Sequence, residues 1–299
     1  MSTFSRRHFI SGVSAATIAA AVAQPWQRLT AQEAAKTALR KPLPKAKIGK
    51  TGIETTILGL GTGTHGGNDF INLGQTNFVD LLMHGVQNGI RYLDTAENYR
   101  THIFMRFLLQ EAKKIGVNRE DFFLLTKSFA RTAGAAKAIV ARYLYEMECG
   151  YLDALLMHCL TERDWPTRYR EVLDVLVEER DKQGSRVKNI GVSVHSLDAL
   201  EACVDVDELD VVLVRINPFG VNMDASPDKV VPVVKKLHEK GKGILGMKIF
   251  GEGKLEESQQ RYDSLKFAME LDCVNTMTIG FTKKSQIDET LDMISEIQG

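Results

Sequence analysis

From residue 46 onward the hydrophobic positions follow two alternating rhythms. Short apolar runs rich in β-branched residues occur at 57–61, 90–95, 122–128, 152–158, 188–194, 210–216, 244–250 and 276–281. Each ends in glycine or polar residues. Between them lie longer stretches, at 75–87, 169–183, 228–240 and 286–297, whose apolar residues recur every three or four positions. The first rhythm belongs to buried strands and the second to helices with one apolar face. Strands alternating with helices of this length imply right-handed βαβ units and a parallel sheet. Eight such units within about 250 residues predict a closed (β/α)8 TIM barrel rather than an open doubly wound sheet. The barrel domain is therefore expected over residues 46–299.

The first 45 residues follow neither rhythm. Ser5-Arg6-Arg7-His8-Phe9-Ile10 sets two arginines before a bulky apolar residue, and residues 10–23 are small and apolar with no charge. Ala21-Val22-Ala23, with Gln24-Pro25 behind it, has the small-x-small pattern of a cleavage site. Such a run falls short of the roughly 20 residues a bilayer crossing needs, so a signal peptide over 1–23 is expected and a stable membrane span is not. The paired arginines address it to the twin-arginine (Tat) export machinery, with Arg6 and Arg7 as the contact and an extracytoplasmic, periplasmic destination. Residues 24–45 are rich in Gln, Ala and Lys and end at Pro42 and Pro44, the composition of a flexible linker.

Charge and cysteine usage narrow the function. Lys+Arg and Asp+Glu both number 38, so no bulk charge draws the chain to nucleic acid. The four cysteines (Cys149, Cys159, Cys203, Cys273) show no CxxC or Cys/His spacing, which argues against a zinc or iron–sulfur site. Gly59-x-Gly61-x-Gly63 follows a strand. No third glycine sits at the offset a Rossmann dinucleotide fingerprint requires, and no acidic residue closes a second strand about 20 positions on, so that fold is rejected.

In a closed barrel, the loops after the strands share one pocket at the C-terminal ends. The second strand ends in Asp94-Thr95-Ala96-Glu97-Asn98-Tyr99, the third in Thr126-Lys127-Ser128 and the fourth in Met157-His158. An Asp, a Tyr, a Lys and a His thus converge on one mouth. Each alone has a structural explanation; together they suit carbonyl reduction. Adding hydride to a carbonyl leaves an alkoxide that needs a proton, which a tyrosine hydroxyl can supply although its usual pKa is about 10. A neighbouring ammonium stabilises the phenolate, an aspartate fixes the lysine, and a histidine holds the substrate oxygen.

With those residues in view, the chain from Lys47 to Glu296 resembles the aldo-keto reductase family. Ile48-Gly49-Lys50-Thr51-Gly52-Ile53 is similar to its N-terminal β-hairpin closing the barrel floor. Asp94-Thr95-Ala96-x-x-Tyr99 is similar to its strongest signature, and Lys127 and His158 fall where its lysine and histidine fall. The resemblance implies Tyr99 as proton donor, Lys127 as activator, Asp94 as the lysine's partner and His158 as the substrate-orienting residue. It also implies a small carbonyl substrate and a nicotinamide cofactor, NADP ahead of NAD. Ser193 is placed for the cofactor's carboxamide, Asn217 in the family's Asn-Pro segment, and Met247 where an aromatic usually stacks on nicotinamide. Lys248, Gly251 and Gly253 are placed for the pyrophosphate, and Lys283, Gln286 and Glu289 lie in the adenosine-side segment. The departures are Val194 for an asparagine, Leu213 for a glutamine, Met247 for the aromatic, Gln286 for an arginine, and Arg100 for the glycine after the tyrosine. Arg100 either meets an anionic substrate or lies out in solvent. With the chain ending at Gly299 soon after the last helical stretch, an open, shallow mouth is expected. Two other classes remain on the sequence alone: an exported barrel that binds a ligand or nucleotide without turnover, and an aldolase or isomerase using Lys127 as a Schiff base.

Overall fold

The computed structural model describes residues 40–299. The leader expected over 1–23, and the linker up to residue 39, lie outside them. The eight apolar runs become a closed parallel barrel: β3 (Leu58–Gly61), β4 (Tyr92–Asp94), β5 (Phe123–Ser128), β6 (Ala154–Leu160), β7 (Ile190–Val194), β8 (Val211–Arg215), β9 (Gly243–Met247) and β10 (Thr276–Ile279). They pair in chain order, and β10 closes the ring on β3. Ahead of them an antiparallel hairpin, β1 (Lys45–Lys47) and β2 (Glu54–Thr56), supports the loop that seals the barrel floor. Ile48, at its tip, is fully buried among the interior side chains. Gly243 has no side chain because Ile48 occupies the place: a Cβ there would lie 2.2 Å from the Ile48 Cγ2.

Two apolar clusters follow from the two-residue period of a strand. One fills the barrel, with Tyr92, Phe123, Leu125, Leu156, Val211, Leu213 and Leu245 pointing inward. The alternate strand residues, such as Leu93, Leu124, Leu155, Val192 and Val212, point outward and pack under the helices. The inward set is crowded enough that Gly59 must be glycine, since a Cβ there would sit 2.1 Å from the Tyr92 ring. At such close packing, truncating one fully buried leucine to alanine costs about 2–5 kcal/mol.

The helices are α1 (Asn68–Gln87), α2 (His102–Lys114), α3 (Ala133–Met147), α4 (Trp165–Arg168), α5 (Arg170–Asp181), α6 (Leu197–Ala202), α7 (Pro227–Glu239), α8 (Ser258–Glu270) and α9 (Lys284–Ile297). Within α1, Gly74 takes φ 73°, ψ 162° and breaks the helix there, which is why the helical period begins at 75. The stretch at 169–183 is α5, and Tyr169 separates it from the one-turn α4 just ahead. The last residues of the expected linker are held on the C-terminal helix: Arg40 Nη1 pairs with Asp288 at 3.1 Å and the Lys41 amide donates to Ser295 Oγ at 3.1 Å.

Candidate active site

The strand ends place Asp94, Lys127 and His158 on the inward face, each continuing the alternation of the interior cluster. Three threonine hydroxyls hold the tyrosine turn to the strands. Thr62 donates to the Asp94 carbonyl at 3.0 Å, and Thr101 meets both Thr62 (3.0 Å) and Thr95 (2.8 Å). Tyr99 closes a short 3-10 turn, Glu97–Tyr99. Its ring needs the space left by Gly63, where a Cβ would fall 2.5 Å from Tyr99 Cζ. At the end of β6 the pairing register with β7 shifts between Met157 and Leu160, and Cys159 sits at φ 60°. A bulge of this kind re-aims its neighbour. Here the neighbour is His158, whose Nε2 lies 3.3 Å from the Tyr99 hydroxyl.

Beneath that pair, Lys127 Nζ donates to the Asp94 carboxylate and, at 2.9 Å, to the Thr95 carbonyl. It lies 4.9 Å from the Tyr99 ring centroid, over the ring and not on the hydroxyl. Tyr92 donates to the second Asp94 oxygen at 3.2 Å. Burial pushes the Lys127 ammonium below its usual value, while the Asp94 carboxylate pulls it back up. Burial, and then the same carboxylate, push the Tyr99 phenol well above 10. The phenol is thus held protonated, where the sequence leads one to expect a hydroxyl acidified by the lysine. Burial, with Lys127 close by, holds His158 neutral, its pKa brought down to about 2. Its Nδ1 is buried and meets no partner among the described residues.

A cleft of about 240 Å³ opens beside Asp94, Tyr99 and Lys127. It runs past Leu213 and Met247, then Lys248 and Gly253, to Gln286 at the start of α9. Of the cofactor candidates, Met247, Lys248, Gly253 and Gln286 line it. Lys248 pairs with Glu252 at 2.6 Å, and Gln286 Oε1 accepts from the Thr282 and Lys283 amides (2.8 and 3.1 Å). Ser193, Asn217, Gly251, Lys283 and Glu289 stand off it. Ser193 is fully buried, with Oγ 3.3 Å from His195 Nε2. The Asn217 amide is used up within its own loop and across to the next, donating to the Val221 and Lys248 carbonyls and accepting from the Phe219 and Val221 amides. Glu289 pairs with Arg261 at 2.6 Å. Arg100 turns to Asn68 Oδ1 at 2.6 Å, away from the cleft. The walls change from aromatic and cationic at one end, through apolar, to a lysine, a glycine turn and helix-start amides at the other. That order of chemistry fits a nicotinamide dinucleotide, although the cleft encloses only part of a molecule that size.

Sequence reasoning passed over His195, Arg215 and Gly63. His195 follows Ser193 by two, so it shares that residue's face, and its ring centroid is 6.2 Å from that of His158. Arg215 follows Leu213 by two and donates through Nη2 to His195 Nδ1. The inward alternation along β7 and β8 was the signal that could have found both.

The family model for the aldo/keto reductase family matches residues 57–298. Among curated proteins, the chain is 27% identical over 174 residues to the 7-acetyl-epi-neemfruitin B aldo-keto reductase of Melia azedarach, covering 53% of this chain and 52% of that one. It is 28% identical over 144 residues to the glycerol 2-dehydrogenase (NADP(+)) of Saccharomyces cerevisiae, covering 47% and 41%. The chain thus matches about half the length of these relatives or less. Among solved structures, the holo form of an aldo-keto reductase from Bacillus halodurans superposes with a TM-score of 0.69 at 16% identity, over 84% of this chain and 91% of that one.

Proposed function

The chain belongs to the aldo/keto reductase family, and on that premise we propose that it is an NADP-dependent oxidoreductase interconverting a small carbonyl compound and its alcohol, with Tyr99 as proton donor. The observation that carries this reading is the Tyr99 hydroxyl paired at 3.3 Å with a neutral His158, above the buried Lys127–Asp94 pair and beside the cleft. A relative whose name carries NADP supports the choice of cofactor. When bound, the nicotinamide supplies the hydride. Met247 and Leu213 would wall its ring, with Lys248, Gly253 and the α9 amides serving the phosphates.

The protein's own residues handle the oxygen and the proton. A carbonyl oxygen seated between Tyr99 Oη and His158 Nε2 accepts two hydrogen bonds there, and the developing negative charge strengthens both. Tyr99, held protonated by burial, delivers its proton to that oxygen. An alkoxide is a stronger base than a phenolate, so the transfer runs downhill. The ammonium of Lys127 over the ring then faces a phenolate it stabilises, and Asp94 keeps it aimed. Replacing Tyr99 by Phe is expected to remove most NADPH-dependent aldehyde reduction while leaving the NADPH Kd within a few-fold. Equal losses in both would mean that Tyr99 is structural.

The apolar Leu213 and Met247 in the cleft favour a second reading, a nucleotide-binding barrel without turnover. Fluorescence titration with NADPH and NADH alongside a turnover assay separates the two. For the Schiff-base alternative the arrangement offers little, since Lys127 is already bonded to two oxygens. The paired Arg6 and Arg7 support export through the Tat route. Because that route carries folded proteins and nicotinamide dinucleotides are made inside cells, the protein is proposed to leave with its cofactor bound. Periplasmic protein carrying near-stoichiometric dinucleotide is the expected result; empty exported protein that binds NADPH weakly would refute it.

A further inference from the structure

We propose that the carbonyl substrate carries a carboxylate remote from its carbonyl group, and that Arg215 receives it; this rests on the carbonyl-reducing reading above. Arg215 is the last residue of β8, opposite Met247 in register, one inward step above Leu213. It therefore stands at the rim on the side of the mouth beyond His158. Its guanidinium has five N–H donors. Nη1 gives one to Asp224 at 3.1 Å and Nη2 gives one to His195 Nδ1. The Nε–H is buried with no partner among the described residues. One N–H on each terminal nitrogen is thus left over, and a carboxylate accepting from both would bind as a fork.

The surroundings decide which way that fork faces. The Asp224 side chain is 2% exposed and that of Arg215 is 23% exposed. The acid lies behind the guanidinium and fixes it, and the cation is what the mouth presents. His195, accepting from Arg215 at Nδ1, keeps its proton on Nε2 toward Ser193, and it is neutral, so it adds no competing charge. Arg131, which pairs with no carboxylate among the described residues, donates to the His158 carbonyl and adds positive charge on the same side. Among the described residues nearby, the other cations, Lys127 and Lys248, already have acids of their own.

Distance sets the kind of anion. The carbonyl oxygen belongs at Tyr99 and His158. The His195 ring is a further 6.2 Å from that of His158, and Arg215 bonds its Nδ1. A carboxylate bonded directly to the carbonyl carbon stays within about 3 Å of the carbonyl oxygen and falls short. A spacer such as an aromatic ring is needed. The mouth offers one an apolar bed, for Phe129 is 41% exposed with its ring 4.6 Å from that of His158, and Phe219, after β8, is 44% exposed.

The test compares 4-carboxybenzaldehyde with benzaldehyde as substrates of the purified full-length protein with NADPH. Wild type is expected to favour the carboxylated aldehyde in kcat/KM by tenfold or more. In Arg215→Gln the ratio should fall to about one, and in Arg215→Lys part of it should survive, because the charge remains without the fork. A ratio that is near one in wild type, or unmoved in Arg215→Gln, overturns the proposal. So does a loss of NADPH affinity in Arg215→Gln as large as the loss of preference, which would assign Arg215 to the cofactor. If neither aldehyde is turned over, the redox reading fails and calorimetry decides this one. Binding of 4-(hydroxymethyl)benzoate but not benzyl alcohol, lost in Arg215→Gln, supports it; equal binding by both proteins refutes it.

Discussion

Two neutral buried histidines at the barrel mouth make the fold sensitive to mild acid in a way that one substitution can expose. The unfolded chain protonates each histidine near the ordinary value of 6.5, whereas in the fold His158 is held at about 2 and His195 at about 3. Protons therefore bind the unfolded state first. The stability these residues permit is whole above pH 6.5 and is lost progressively as the pH falls below it. Proton linkage puts the loss between pH 7 and pH 5 at about 2 kcal/mol for each histidine, an order-of-magnitude figure set by the unfolded value so long as the folded one stays below about 4. Asp224 acts in the opposite sense. Burial raises its carboxyl to about 6, so it gains a proton in the fold before it does when unfolded, and it offsets part of the loss. Comparing variants removes that shared contribution. In urea titrations at pH 7 and pH 5, His158→Gln should lose about 2 kcal/mol less than wild type over the interval. At a urea slope of about 3 kcal/mol/M that is a difference of about 0.7 M in the midpoint shift. An identical midpoint shift in the two proteins would show that His158 takes up its proton as readily folded as unfolded, and the burial argument would fail.

Lys127→Met should strand the Asp94 carboxylate, 3% exposed, and destabilise the protein by about 3–5 kcal/mol in urea unfolding; the double variant with Asp94→Leu should recover much of it, and failure to recover would show the pair is not the source. Gly63→Ala puts a methyl 2.6 Å from the Tyr99 hydroxyl oxygen and should cut turnover on the order of 100-fold with a small change in melting temperature. Unaltered kinetics would mean that Tyr99 is free to move aside. Arg6→Lys with Arg7→Lys should leave the precursor inside the cell, read by fractionation; normal export of that variant would exclude the Tat route.

How much of this was legible follows from the range over which each signal acts. Alternation of apolar residues is local, so the eight strands could be read from the chain, each within a few residues of its observed bounds. The strong helical periods at 75–87, 228–240 and 286–297 were equally plain. Helices such as Ser258–Glu270, which buries only Ser264, Leu265 and Ala268, carry too weak a stripe to stand out. Topology then did part of the work for the site: once strands end at one mouth, Asp94, Lys127 and His158 must meet. What no local pattern contains is the environment of a side chain after closure. The space Gly63 leaves for Tyr99, the phenol held protonated, the neutral His158 and the bond between Arg215 and His195 all depend on residues far apart in the chain. The sequence by itself determined which residues could do chemistry and on which strands they ride. Only the packed barrel decided their charge states and neighbours, because burial and contact are properties of the assembled interior and not of any segment.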